Sequence, residues 1–298
     1  HDEARAHYLE EGTPLRRSGI SVDLAAAFWQ PRRVTSTVAD LRAAYDAQLR
    51  GEAEVAMAPW WDSAGPLWRA VFDGRAFFTY EDLSGHDVPA VLADTLAFLD
   101  DHPEVGSAEW KTRGHDDVPG LHELLVAAGF EPDESETVMV GETADLAATV
   151  LSPLPEGVVV RRVDDDPDRA RLLVEVSALQ AEVFGRHLAG ESLLDRVDRS
   201  DGAMQVWAAG TEHGLVSTGR LELVAGTDFA GLWGGATLAP WRGRGIYRAL
   251  TAARSRSALE QGARWMHSDC TEMSRPILER AGLVAVTTST PYVWTRPV

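Results

Sequence analysis

Pro153 and Pro155 stand one residue apart at the middle of the 298-residue chain, in Ser152-Pro153-Leu154-Pro155-Glu156-Gly157. Each proline removes a backbone donor and fixes φ, so neither a helix nor a central strand can run through this stretch. The chain is therefore expected to fold as two domains, 1–150 and 157–298, at roughly 150 residues per domain.

The second half carries the clearer pattern. Residues 158–163 form a β-branched run that predicts a strand. Asp164-Asp165-Asp166-Pro167 then signals a helix start, with acids at the positive end of the helix dipole. Leu172, Leu173, Val176, Leu179 and Val183 recur at helical spacing, and a short helix is expected near 192–198. Three short runs at 204–209, 216–224 and 229–238, separated by turn residues, predict an antiparallel meander. A helix over 245–261 stops at Gly262, a strand follows at 263–269, and a helix over 274–281 is closed by Gly282 ahead of a strand region at 284–294. The predicted order is β-α-α-β-β-β-α-β-α-β.

Composition bounds the function. Hydrophobic residues make up 45% of the chain and charged residues 25%, the balance of a globular protein with a sizeable core. Lys and Arg number 28 against 46 Asp and Glu, a net charge of −18. That field opposes phosphate backbones and anionic membranes and favours cationic ligands such as amines, so neither nucleic acid nor membrane is expected as a partner. No apolar run is long enough to span a bilayer, and His1-Asp2-Glu3-Ala4-Arg5 is too polar for a secretory signal, so the expected location is cytoplasmic. The single cysteine, Cys270, excludes an intramolecular disulfide and a thiolate zinc site. Lys111 is the only lysine.

The tail of the first half resembles that of the second. A helix at 91–101, a strand at 108–111, a helix at 118–128 stopped by Gly129-Phe130 and a strand at 136–140 repeat the final elements. Trp110 precedes Gly129 by 19 residues and Trp265 precedes Gly282 by 17. This points to an internal duplication. Residues 1–75 are less legible, with one helix expected at 38–49 before an aromatic stretch containing Trp60, Trp61 and Trp68. His86-Asp87, His115-Asp116-Asp117 and His122 have a ligand-like composition, but their spacing fits a strand-to-helix loop capped by Asp117, and no metal is expected.

Chemistry is concentrated in Trp233-Gly234-Gly235-Ala236-Thr237-Leu238-Ala239-Pro240-Trp241-Arg242-Gly243-Arg244-Gly245-Ile246-Tyr247. A strand ends at Leu238, a proline turn follows, and a glycine-rich segment opens directly into a helix. Glycines let the backbone approach a phosphate, while free amides and the helix dipole stabilise the anion. Arg242 and Arg244 can add charge-assisted hydrogen bonds, and Gly234-Gly235 marks a candidate bulge. The segment is neither a Walker loop nor a G-x-G-x-x-G turn.

With these residues the chain resembles the GCN5-related N-acetyltransferase (GNAT) superfamily, whose acetyl-CoA motif is Arg/Gln-x-x-Gly-x-Gly/Ala. Arg242-Gly243-Arg244-Gly245-Ile246-Tyr247 matches the Arg and the first Gly, with Tyr247 in place of the final small residue. The resemblance covers 157–294 and includes Ser274 to Leu283 as the family's fourth helix. It implies an α/β (α+β) fold of two GNAT-like domains, each a mixed, mostly antiparallel central sheet flanked by helices. It also implies acetyl-CoA as acyl donor, held by Leu238, Arg242, Gly243, Arg244, Gly245, Ile246, Tyr247 and Thr271, with a backbone N–H near Leu238 polarising the thioester carbonyl. A small-molecule amine is the implied acceptor, attacking the thioester directly.

Many relatives carry a tyrosine acid where this chain has Leu278. Ser274 is the first candidate to replace it, followed by Cys270 and Tyr247. Glu222, Asp269 and Glu272 are candidate bases. Glu175, Glu182, Glu191 and Asp195 could meet a cationic acceptor. In the first half, Glu81-Asp82-Leu83-Ser84-Gly85-His86-Asp87-Val88-Pro89 stands before the corresponding helix with no Arg-x-x-Gly-x-Gly, and its acids would repel a diphosphate. That half is expected to be a degenerate partner that shapes the acceptor cleft or covers the other domain. Two other functions fit the same residues: a non-catalytic acyl-CoA sensor or scaffold, and an acetyltransferase for protein N-termini or lysines.

Overall fold

The computed structural model describes residues 36–149, 151–185 and 192–297. Residues 1–35 of the expected first domain, and Glu191 among the candidate acceptor-binding acids, lie outside them. In the first half, α1 (Val38–Gln48) starts at a reciprocal capping box between Thr37 and Asp40. It is followed by α2 (Glu52–Val55), β1 (Trp60–Ala64), β2 (Leu67–Phe72), β3 (Arg75–Tyr80), α3 (Val88–Asp101), β4 (Ser107–Arg113), α4 (Leu121–Ala127), β5 (Glu131–Pro132), β6 (Glu136–Glu142) and α5 (Thr143–Ala147). The second half contributes β7 (Val159–Arg162), α6 (Arg169–Phe184), α7 (Leu193–Arg199), β8 (Met204–Thr211), β9 (Gly214–Leu223), β10 (Phe229–Thr237), α8 (Ile246–Glu260), β11 (Trp265–Cys270), α9 (Arg275–Ala281) and β12 (Val284–Thr295). Its order is the one its sequence patterns predict. The aromatic stretch of the first half proves to be the β1–β2 hairpin.

Among the described residues twelve strands join one sheet, in the order β1-β2-β3-β4-β12-β6-β11-β10-β9-β8-β7, with β5 paired to β12. Only β3–β4 and β10–β11 are parallel. The halves exchange their last strands: β12 lies against β4, with Tyr292 opposite Trp110, and β6 lies against β11, with Met139 opposite Ser268. Each half is a mixed, mostly antiparallel sheet flanked by helices, and the exchange makes the two sheets continuous.

Directly opposed residues point to the same face of a sheet, so the pairings assign every helix to a side. Met204, Glu222, Gly231 and His267 are linked by successive pairs. This first face carries α1, packed on Val138, Val140, Phe229, Trp265 and Val286, and α6 and α7, packed on Met204, Val206 and Ala208. The second face carries α3 and α4 over Phe78, Trp110 and Tyr292, and α8 and α9 over Leu232, Met266 and Cys270. Gly129 and Gly282 end the corresponding helices α4 and α9 with φ of +87° and +110°, a region that favours glycine. The duplication is therefore one of elements. Trp110 and Trp265, which sequence spacing aligns, face opposite sides because neighbouring strand residues alternate.

Candidate active site

Strands β10 and β11 are paired only from Phe229↔Trp265 to Gly231↔His267. One further link, from the Ser268 hydroxyl to the Leu232 carbonyl at 2.9 Å, bridges them before they part. Beyond it the register of β10 against β9 shifts between Trp233 and Ala236, the bulge that Gly234-Gly235 predicts. Gly234 has φ +58°, and its carbonyl accepts from Gln180 Nε2 on α6 at 2.8 Å. A Cβ on Gly235 would stand 2.5–3.0 Å from the Tyr247 ring, so the absent side chain makes room for the tyrosine.

Helix α8 begins next to this opening. Gly243 and Gly245 have φ of +73° and +81°, and a Cβ on either would meet no atom within 4 Å. Among the described residues no side chain caps the helix, so its first-turn amides have no side-chain acceptor there. Arg242, Gly243, Arg244 and Gly245 are all exposed. Arg242 Nε donates to the Thr237 carbonyl at 3.0 Å, which holds the guanidinium over the loop, and the Arg244 guanidinium lies 5.3 Å from the centre of the Trp241 ring. Ile246 is buried with Leu250, Val158 and Val216 and fixes the start of the helix on the sheet.

Two residues of the motif are engaged by the chain itself. The Leu238 N–H donates to the Val216 carbonyl at 3.0 Å and its own carbonyl accepts from Trp241 N at 2.9 Å, so neither group is free to face a thioester. Tyr247 does not crowd the glycine loop. Its ring turns onto the sheet against Gly235, 5.6 Å from the buried guanidinium of Arg254. Burial pulls the pKa of Arg254 below its ordinary value.

The candidate bases are all engaged by cations. Asp269 Oδ2 lies 2.6 Å from Lys111 Nζ, which also reaches Glu54 at 3.0 Å. Glu222 accepts from Arg220 Nε at 2.9 Å with Arg196 3.9 Å away, and Glu272 lies 3.5 Å from Arg275. Asp269 and Glu222 share the first face. Cys270, Leu278 and Tyr247 pack together on the second. Burial, reinforced by Asp269 and Glu136, pushes the Cys270 thiol up to about 11, which removes it as a thiolate nucleophile at neutral pH. Ser274 occupies the N-cap position of α9 yet makes no cap hydrogen bond. Thr271 follows β11 directly, and its carbonyl accepts from the amides of Ser274 and Arg275. Of the acids proposed to meet an acceptor, Glu175 pairs with Arg171, Asp195 accepts from the Ser192 hydroxyl in the cap of α7, and Glu182 is exposed.

His267, three residues before Cys270 on β11, has no role in the sequence reading. It is 8% exposed, and neither ring nitrogen has a hydrogen-bond partner. Trp233 and Phe229 meet its ring edge-on, with centroids at 5.3 and 5.9 Å. Burial lowers its pKa from 6.5 to about 4. The alternation of β11 places it on the face opposite Cys270. Nothing in the local pattern signals that its nitrogens lack partners.

The corresponding opening in the first half is closed by charge. β3 and β4 are paired up to Phe78↔Trp110. Beyond that point Arg113 Nη1 donates to Thr79 Oγ1 at 2.9 Å and pairs with Glu54 of α2, while Arg50 donates to the Tyr80 carbonyl and to both oxygens of Asp116. Burial alone would raise Glu54, but Arg113 and Lys111 beside it hold its carboxyl at about 2. Helix α3 supplies its own anion, because the Asp87 side chain accepts from the Ala90 amide.

An open depression of about 700 Å³ lies beside Leu238 and Trp241, against the β8–β9 turn at 211–214 and thus on the side of β10 away from β11. Among the described residues no cluster of His, Cys, Asp and Glu could hold a metal ion, and no helix is long and apolar enough to cross a membrane.

No family model and no curated protein matches the chain. Solved structures do. A GCN5-related N-acetyltransferase from Kribbella flavida superposes with a TM-score of 0.61 at 19% identity, over 88% of this chain and 97% of that one. One from Sphaerobacter thermophilus gives 0.56 at 16%, over 78% of each chain. A tandem GNAT protein from the clavulanic acid biosynthesis pathway gives 0.55 at 14%, over 78% of this chain and 79% of its own. The chain has the GNAT fold, built as two such folds in tandem.

Proposed function

We propose that the second half transfers an acetyl or related acyl group from acyl-CoA to a small amine. One contrast carries the reading: α8 opens uncapped beside parted strands, whereas α3 is capped by Asp87 beside strands closed by Arg113 and Glu54. The diphosphate would sit on the amides from Gly243 to Tyr247, across the glycine loop and the start of α8, with Arg242 and Arg244 adding charge-assisted hydrogen bonds. The site fits such an anion because the glycine loop is exposed and nothing stands over Gly243 or Gly245. Thr271 and Ser274, at the far lip of the opening, are placed to contact the pantetheine arm. The thioester supplies an activated carbonyl to an amine arriving from the first face, where Trp233 and Glu222 stand. The first half, 1–150, is then a degenerate partner whose Lys111 and α1 wall this face.

Leu278 and Tyr247 favour a second reading. Both are committed to packing on the second face, which leaves no tyrosine acid on α9, as a non-catalytic acyl-CoA sensor would allow. Release of CoA thiol over an amine panel, run beside calorimetry with acetyl-CoA, separates the two. Transfer predicts binding with turnover, a sensor predicts binding alone, and absence of binding overturns both.

A further inference from the structure

We propose that His267 is the catalytic residue that takes the acceptor's proton, and that the acceptor enters as an uncharged, weakly basic amine such as an arylamine; this rests on the acyl-transfer reading. His267 is the last residue of β11 paired with β10, so its ring stands where those two strands begin to part, on the first face. It is the only side chain among the described residues with two buried polar atoms and a partner for neither. Buried polar groups are nearly always bonded, and an exception at the vertex of an opening marks a place where a ligand completes the bonding. The site is also built around the ring. A Cβ on Gly231 would stand 3.1 Å from His267 Nε2 and collide with the Trp233 indole, so glycine is what lets the two rings meet.

The charged groups that face the imidazole are Asp269 from β11, Lys111 from β4, Glu222 from β9 and Glu54 from α2. Asp269 and Glu54 are held by Lys111, and Glu222 by Arg220. None binds the ring, which therefore stays neutral, with one nitrogen to donate and one to accept. Its lowered pKa agrees. Such an imidazole is too weak a base for an alkylammonium. It suffices for an amine that arrives neutral, because bonding to the carbonyl carbon makes the nitrogen strongly acidic. The amine lone pair forms the C–N bond, and the N–H proton passes to the free imidazole nitrogen. The C–S bond then breaks with its electron pair on sulfur, and the thiolate takes the proton from the imidazolium. Amide and CoA thiol leave, and the ring is restored. Trp233 supplies an aromatic wall for a flat acceptor.

His267→Gln keeps a buried polar side chain but cannot shuttle a proton. It is expected to lower kcat for CoA release with aniline at least 100-fold while leaving calorimetric affinity for acetyl-CoA unchanged, and the wild type is expected to turn over aniline faster than n-butylamine at pH 7. A variant within threefold of wild-type kcat overturns the assignment. Nitrogen-15 NMR of the histidine ring in the wild type needs neither turnover nor a folded variant: with CoA bound, adding aniline should shift the His267 resonances, and a ring that does not respond overturns the proposal. Failure of the wild type to bind acetyl-CoA at all would instead sink the acyl-transfer reading itself.

Discussion

The two halves present the same parted strands and the same following helix, yet only one of them is left open. At β3–β4 the gap is occupied by Arg113, Glu54, Thr79 and Arg50, and α3 is capped from within. At β10–β11 the gap holds one serine link and an unpartnered histidine, and α8 is uncapped beneath exposed arginines. A shared architecture thus fixes where an anion-binding helix end can stand, and a few side chains decide whether it is available.

The largest effect should come from the closed side. Arg113 is wholly buried and neutralises Glu54. Arg113→Met is expected to cost about 3–5 kcal/mol in chemical denaturation, since removing one partner strands a buried charge. In the wild type the carboxyl of Glu54 is depressed from 4.5 to about 2, so its contribution is complete above pH 4.5 and lost as pH falls toward 2. The variant should lose that acid dependence. An unchanged midpoint would show that the network does not hold the gap shut.

Next in size is the histidine. A folded-state pKa lowered from 6.5 to about 4 means the folded state resists protonation. Stability is complete above pH 6.5 and falls as pH drops toward 4, by about 3 kcal/mol in all. His267→Gln should flatten the stability profile across that window. A wild type equally stable at pH 7 and pH 4.5 would mean water or a neighbour already satisfies the ring.

How far these differences could be read from sequence depends on their range. The second half was legible because its boundaries are written locally, in Gly262, Gly282 and the Asp164–Pro167 run. So was the glycine motif, since a strand, a turn and a helix start are all contiguous. β1 was not, because Trp60 and Trp61 sit half-exposed on an edge strand without the alternation that marks a buried one. The exchange of β6 and β12 leaves no local trace, as a strand's pattern names its buried face but not its partner. The same limit applies to the candidate bases. Asp269 looks free until Lys111, 158 residues away, is found against it. Likewise Tyr247 stands in the motif's small-residue position, and only the fold shows Gly235 as the hollow that receives it.

On the open side, Arg242→Ala should weaken acetyl-CoA binding by about 1–3 kcal/mol through loss of charge-assisted hydrogen bonds, as read by calorimetry. Asp82→Ala, at the corresponding place before α3, should leave that affinity unchanged, because the Asp82 carboxylate accepts only from Ser84. A large loss on replacing Asp82 would put the acyl donor in the first half.

The smallest change asks the most of the comparison. Asp87→Ala removes the cap of α3 and frees the first-turn amides that resemble those of α8, at a cost of about 1 kcal/mol in stability. If an uncapped helix end were enough, this variant would gain a second site for acetyl-CoA, and calorimetry would count two. One site is the expected result: Glu81 and Asp82 still stand before the helix, and Arg113 still fills the gap where the pantetheine arm would run. The charge network, more than the missing motif, is then what retired the first half. A second site in the single variant would reverse that order, whereas one that appeared only when Arg113→Met was added would assign the closure to the buried arginine.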